Sequence, residues 1–172
     1  AQPNKERSNL SVIRAGEYEG FFKKIKGTDG SKDIQVLNLQ TMEYEPRKKP
    51  KFATLETAKP IEDLKQRLKI LVAGQDKAGD FFRQFHYALF SYISFRIPEI
   101  SDEIYRVDDA MMAGFGWEIG AFESWDTLGV AKTLEAMKAS GYKVAAWVEE
   151  MLATGATSFY KVENGNRLYY DI

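Results

Sequence analysis

Apolar residues recur at helical spacing through the middle of the chain and at alternating spacing near its two ends. Ile61, Leu64, Leu68, Leu71 and Val72 fall on one helical face. Pro60 can open that helix, with Glu62 and Asp63 in its first turn, and Gly74 stops it. Asp76 can cap the next helix, which runs to about Arg96 before Pro98. Phe81, Phe85, Ala88, Leu89 and Tyr92 mark one face of it, and Phe82, Phe90 and Ile93 widen the stripe. This pattern predicts a central helix buried on more than one side. Ser101 is a candidate cap for a following helix, which carries Met111 and Met112 as core fillers. Shorter helices are predicted over 122–128, over 130–140 with Leu134 and Met137 inward, and over 144–153 with Trp147, Val148, Met151 and Leu152. Gly141 and Gly155 end the last two.

The ends read differently. GFFKKIKGTDGSKDIQVLNL has apolar positions on both sides of a turn at Gly27–Gly30, and predicts a β-hairpin. SFYKVENGNRLYYDI has Asn164-Gly165 between apolar runs, a strong type I′ signal, placing Tyr160 opposite Tyr169 and Phe159 opposite Tyr170. GFFKKIKG and SFYKVENG share the order aromatic, aromatic, Lys, glycine turn, so the hairpins form an internal repeat and can pair edge to edge. Residues 41–56 read as an extended connector, and the polar first sixteen residues hold at most a short helix near Lys5 to Arg14. The fold expected is about four to six helices with two small hairpins.

Composition narrows the function. The 172 residues are 44% hydrophobic and 28% charged, ordinary for a globular domain. A net charge of -1 gives no general attraction to nucleic acid or anionic membrane. There is no cysteine and only one histidine, His86, which excludes a disulfide framework, a thiolate metal site and a histidine-rich one. No apolar run is long enough to span a bilayer. The N-terminus lacks a signal-peptide core, and its lack of an initiator methionine fits an excised or processed chain. Arg47, Lys48, Lys49 and Lys51 cluster around Pro50, as a phosphate-binding patch or as a solvated linker. His86 lies among aromatics without a motif for catalysis, and reads as a core or interface histidine. Asp108–Asp109 and Glu149–Glu150 are sequence neighbours that do not share a helix face, so they read as solvated or capping charges.

The most distinctive stretch is DAMMAGFGWEIGAFESWDTLG, from Asp109 to Gly129. It predicts helix, a tight glycine-bearing corner, then helix, with large side chains buried around the turn. Its Gly114, Gly116 and Gly120 form G-x-G-x-x-x-G after a predicted helix, not the G-x-G-x-x-G after a strand that cradles a dinucleotide. The stretch does resemble the signature of the C-terminal helical domain of the 3-hydroxyacyl-CoA dehydrogenase family, approximately D-x-A-M-x-x-G-x-G-x-P-x-G-P-F-E-L-x-D-x-x-G. Asp108, Ala110, Met111, Gly114, Gly116, Gly120, Phe122, Glu123, Asp126 and Gly129 fall in step. Glu118 and Ala121 depart from prolines, and Ser124 from a leucine.

The resemblance spans most of the chain from about Gly20. It is nearest to a bacterial form fused to an enoyl-CoA hydratase domain. It implies a mostly α fold, a helical C-terminal-like domain with two small β-hairpins: residues 1–54 the hairpin-and-linker tail of a preceding repeat, residues 55–172 a complete repeat. Such enzymes oxidise 3-hydroxyacyl-CoA to 3-oxoacyl-CoA in fatty acid β-oxidation, with NAD as hydride acceptor. A Rossmann domain holds NAD and the catalytic groups, while the helical domains complete the cleft and form dimer contacts. The resemblance therefore implies no catalytic, cofactor-binding or metal-binding residue in this chain. It implies as partners a Rossmann domain and first helical repeat of the same polypeptide, acyl-CoA substrate, possible homodimerisation, and a cytoplasmic location. In the first repeat an Asn of G-F-I-V-N-R contributes to the site; here GDFFRQ stands in its place, with Gly79 on the motif glycine and Arg83 on the Asn. Arg83 only donates and is always charged, so it cannot replace a neutral amide; it reads as a surface or interface charge. The alternative is a free-standing helical interaction module without acyl-CoA chemistry.

Overall fold

The computed structural model describes residues 20–26, 30–48 and 50–172. The possible helix near Lys5 to Arg14 lies outside them, as do Lys49 and most of the first hairpin's turn. The chain divides into two compact units, Ala1–Pro50 and Lys51–Ile172.

In the first unit, β1 (Phe22–Lys26) pairs antiparallel with β2 (Lys32–Asn38), Phe22 opposite Val36. A third strand, β3 (Glu43–Pro46), pairs with β2, Leu37 opposite Tyr44. This corrects the extended connector expected over 41–56. The turn into β3 contains no glycine. Asn38 builds it, its side-chain oxygen accepting from the Gln40 N–H at 2.9 Å while its amide donates to Glu45 at 2.7 Å. Met42 takes the left-handed conformation, φ 58°.

The second unit is a helical core: α1 (Ala53–Ala58), α2 (Leu64–Ala73), α3 (Lys77–Arg96), α4 (Ile104–Phe115), α5 (Ala121–Leu128), α6 (Val130–Ala139) and α7 (Ala146–Ala153). Seven helices among the described residues exceed the expected four to six. The extra one is α1, which occupies the C-terminal end of the supposed connector. Asp63 caps α2 by accepting from the Gln66 N–H, so the helix starts there and not at Pro60. Asp76 caps α3 as expected. Ser101 does not cap α4; its hydroxyl closes a turn with Glu103, which is the N-cap residue and offers no side-chain cap. Gly114 lies inside α4 and does not interrupt it.

The hairpin of β4 (Tyr160–Glu163) and β5 (Asn166–Tyr169) closes the unit, with Tyr160 opposite Tyr169. The Tyr170 N–H donates to the Phe159 carbonyl at 2.8 Å. Asn164 (φ 52°) and Gly165 (φ 79°) make the turn. β4 and β5 form a two-stranded sheet of their own.

Phe90 and Trp125 stack at the centre of the core, 4.9 Å apart and nearly parallel. Phe122 and Phe159 meet edge to face at 5.0 Å. Met137, Val148 and Met151 complete the packing, and Met111 lies partly buried against it. The facing of α3 departs from expectation. Its buried positions are Ala78, Gly79, His86, Phe90, Ile93, Ser94 and the following Ile97. Phe81 (63% exposed), Phe85, Tyr92 (59%) and Phe95 face outward. Two apolar stripes share this helix, and the core takes the one bearing small and polar residues.

Candidate functional site

The corner between α4 and α5 is built on a buried carboxylate. Gly116 ends α4 in the left-handed conformation, φ 66°. The N-cap of α5 is Gly120, which has no side chain to cap the helix. Asp108, two turns back on α4, supplies the cap. Its Oδ1 accepts from the Phe122 N–H at 2.8 Å and its Oδ2 from the Glu123 N–H at 3.0 Å. A Cβ at position 120 would lie 2.1 Å from Asp108 Cγ, so only glycine admits the approach. The Tyr160 hydroxyl donates to Asp108 Oδ2 at 3.0 Å, tying the hairpin to the corner.

Asp126, on the last turn of α5, makes a second tie. It accepts from the backbone N–H groups of Phe159 and Tyr160 at 2.7 and 2.9 Å. Burial raises the Asp126 carboxyl to about 6 against those two hydrogen bonds, and the charges of Asp108 and Glu123 push the same way. Burial likewise raises Asp108. Glu123 pairs with Lys65 at 2.8 Å and Arg167 at 3.1 Å, and the Arg167 guanidinium lies 3.9 Å from the Tyr160 ring centre. Asp108 is 1% exposed. Its lone pairs serve two backbone amides and a phenol, which hold the corner together.

Arg83 is half-buried and committed elsewhere. Nη1 donates to the carbonyls of Val72, at 2.9 Å, and Gly74, and Nη2 pairs with Asp80. The guanidinium thus satisfies the last carbonyls of α2 and fastens the α2–α3 turn. Gly79 is tight against that turn: a Cβ there would lie 2.1 Å from the Gly74 oxygen. Asp76 accepts from the N–H groups of Thr54, Gly79 and Ala78, which hold its carboxyl down at about 2. Beside Arg83 opens a cleft of about 800 Å³ reaching Lys69, Tyr87, Asp126 and Lys132. A smaller apolar cavity lies between α2, α3 and the corner, lined in part by His86.

His86 is buried, as expected, at 8% exposure, and its Nδ1 is 2.7 Å from the Phe82 carbonyl oxygen. Arg47, Lys48 and Lys51 are exposed. Asp109 is exposed while Asp108 is buried, which separates two residues grouped by sequence alone. The long-range capping role of Asp108 and Asp126 has no local motif; both fall on the signature, and that is the only signal that marks them. Among the described residues no cluster of His, Cys, Asp or Glu is placed to hold a metal ion, and no helix is long and apolar enough to cross a membrane.

No family model matches the chain, and no solved structure matches it significantly. The chain is 37% identical over 153 residues to a Bacillus subtilis protein named as a probable 3-hydroxyacyl-CoA dehydrogenase; the match covers 89% of this chain and 19% of that protein. It is 25% identical over 105 residues to proteins of Rickettsia prowazekii and Rickettsia felis named as fatty acid oxidation complex trifunctional enzymes, covering 61% of this chain and 13% of each of them. The chain therefore spans about a fifth or less of the relatives' length. With the Asp108–Gly120–Phe122–Glu123–Asp126 pattern now seen as one connected corner, and with this likeness over most of its length, the chain is a domain of the 3-hydroxyacyl-CoA dehydrogenase family.

Proposed function

We propose that this chain is the C-terminal helical part, the second repeat, of a cytoplasmic NAD-dependent 3-hydroxyacyl-CoA dehydrogenase of fatty acid β-oxidation. In that role it supports the substrate cleft and the architecture, and does not itself catalyse. The observation that carries this reading is the commitment of its polar groups. Asp108 and Asp126 are spent on backbone amides, and Arg83 stands where an Asn is needed and is spent on the α2 carbonyls. NAD and the acid–base groups then come from a Rossmann domain elsewhere in the same polypeptide. The outward aromatics Phe81, Phe85, Tyr92 and Phe95 supply a face for packing on sibling domains or on a second copy. Sedimentation should accordingly show self-association of the isolated chain at high concentration.

The test is reconstitution. Alone, the chain should give no NADH signal with any 3-hydroxyacyl-CoA and no heat of NAD binding. Rejoined to an upstream Rossmann segment and first repeat, it should restore turnover that those segments lack without it. Appreciable turnover by this chain alone would overturn the reading.

A further inference from the structure

The three-stranded sheet of the first unit carries a basic cluster that the role of the helical unit leaves unused. Residues 1–50 hold ten Lys and Arg against seven Asp and Glu, and residues 51–172 fourteen against eighteen, so the net charge of -1 conceals a basic first unit. Strand alternation sorts that charge onto one face. The ladder pairs Lys26 with Lys32, Lys24 with Ile34 and Phe22 with Val36, and all six fall on one side of the sheet. The three lysines are exposed, as are Phe22 (59%) and Ile34 (38%). β3 runs from the Asn38 end of β2 toward its Lys32 end, and the exposed Arg47 and Lys48 follow it there.

This arrangement is unfavourable on its own. Lys26 stands directly opposite Lys32, and like charges so placed oppose each other. Lys24 lies two residues, about 7 Å, along the same strand face. None of the three has an ion pair or hydrogen bond among the described residues. Glu45 shares the face, opposite Val36, and its carboxylate accepts from the Asn38 amide at 2.7 Å. Beside the lysines, Phe22, Ile34 and Val36 make an apolar strip with a single ring, which gives successive nucleic-acid bases nothing to stack on. Lysines flanking a small apolar strip match the headgroup layer of an anionic bilayer, where phosphates meet the charges and the acyl boundary takes the apolar side chains.

We propose that this face of the β1–β2–β3 sheet is a docking surface for an anionic lipid bilayer. Lys24, Lys26 and Lys32 meet headgroup phosphates, and Phe22 and Ile34 enter the boundary with the acyl chains. The contact is peripheral and independent of the dehydrogenase role.

The 172-residue chain is sedimented with vesicles of phosphatidylcholine and with vesicles containing one-third phosphatidylglycerol. It should bind the second kind only, and lose that binding in high salt. Lys24→Gln, Lys26→Gln and Lys32→Gln together should weaken it by tens of fold, at about fivefold per lysine. The same charge removed from exposed positions of the helical unit, by Lys59→Gln, Lys138→Gln and Lys143→Gln, should change it little. Phe22→Ser should weaken it roughly threefold to tenfold, since the ring enters only the boundary. The chain has no cysteine, so a polarity-sensitive dye can be attached at Ile34→Cys or at Gln35→Cys alone. Anionic vesicles should shift the emission to the blue at Ile34→Cys and leave it unchanged at Gln35→Cys, on the other face. Circular dichroism confirms that each variant is folded. Equal binding to the two kinds of vesicle, equal loss in the two lysine triples, equal dye shifts on the two faces, or preference for a single-stranded oligonucleotide or a polyglutamate peptide over anionic vesicles overturns the proposal.

Discussion

Helix α3 and the corner at Gly116–Gly120 draw on similar aromatic and glycine residues and use them under different constraints. On α3 the outward stripe of Phe81, Phe85, Tyr92 and Phe95 is as apolar and as regular as the inward one. Either stripe satisfies helical periodicity, and the core is decided by Gly79, His86 and Ser94, which permit close approach or accept a buried hydrogen bond. Ser94 shows this: its hydroxyl accepts from the Ala145 N–H at 3.1 Å, and its carbonyl from Trp147 Nε1 at 2.8 Å. At the corner there is no such freedom. Gly120 is fixed by Asp108, Asp108 by two amides and a phenol, and Asp126 by the start of β4. Apolar periodicity says that a helix is buried; contacts below van der Waals distance for any other residue say how.

The largest effect should separate two phenylalanines on one helix. Phe90 is fully buried against Trp125, so Phe90→Ala should cost about 3–5 kcal/mol in urea unfolding. Phe81→Ala removes an exposed ring and should leave stability nearly unchanged while reducing self-association in sedimentation. Equal losses at the two sites would mean that the stripes are assigned the wrong way round.

Next come two neighbouring aspartates. Asp108→Ala strands the Phe122 and Glu123 amides and the Tyr160 hydroxyl, and should destabilise by about 3 kcal/mol. Asp109→Ala alters an exposed side chain and should be close to neutral. Matching denaturation midpoints for the pair would break the account of the corner.

Features with local causes were legible in the sequence. The β4–β5 hairpin follows from Asn164-Gly165, and the cap of α3 from Asp76. Features with distant or unusual causes were not. β3 escaped because its turn uses Asn38 and a left-handed Met42 in place of glycine. α1 is one short helix whose Thr54 N–H donates to Asp76, twenty-two residues on, so nothing nearby announces it. Arg83 reads from sequence only as a surface or interface charge because the helix-end carbonyls it satisfies belong to a different helix. The His86 cavity needs three separate segments to meet, and no spacing encodes that.

A smaller effect tests how the corner uses its glycines. A Cβ on Gly116 meets open space, so Gly116→Val costs only the strain of a β-branched residue at φ 66°, about 1–3 kcal/mol. Asn tolerates that region, so Gly116→Asn should recover most of the loss. At Gly120 no such rescue exists, because the obstacle is the Asp108 side chain and not φ. An unchanged melting temperature in Gly116→Val would contradict the left-handed turn.

The smallest effect is a slope in stability with pH. The Asp126 carboxyl sits at about 6 in the folded chain against an ordinary 3.8, with burial as the main cause. Between those values the folded chain retains a proton that the unfolded chain has lost. Unfolding then releases a proton, so stability falls as pH rises through this window and levels off above about pH 6. Asp108, raised by the same burial, tilts the curve the same way. Asp76 acts in the opposite sense. Its folded value of about 2 lies below the ordinary one, so its contribution is full above about pH 4 and is lost as pH falls toward 2. His86 opposes Asp126: burial holds its imidazole below the ordinary 6.5, so the unfolded chain takes up a proton first and stability is lost as pH falls below about 6.5. The Asp126 contribution is therefore the part of the slope that disappears in Asp126→Asn. Melting temperatures measured from about pH 3 to about pH 8 should show it, each kcal/mol moving the midpoint by about 2–4 °C in a chain of this size. Asp126→Asn keeps an acceptor but cannot titrate. It should lower stability through the lost second hydrogen bond, and its deficit relative to the unmodified chain should shrink as pH rises from about 4 to about 6. A deficit that stays constant or grows across that window would show that the two amide hydrogen bonds outweigh burial at Asp126, and that the corner is held by an ordinary ionised carboxylate.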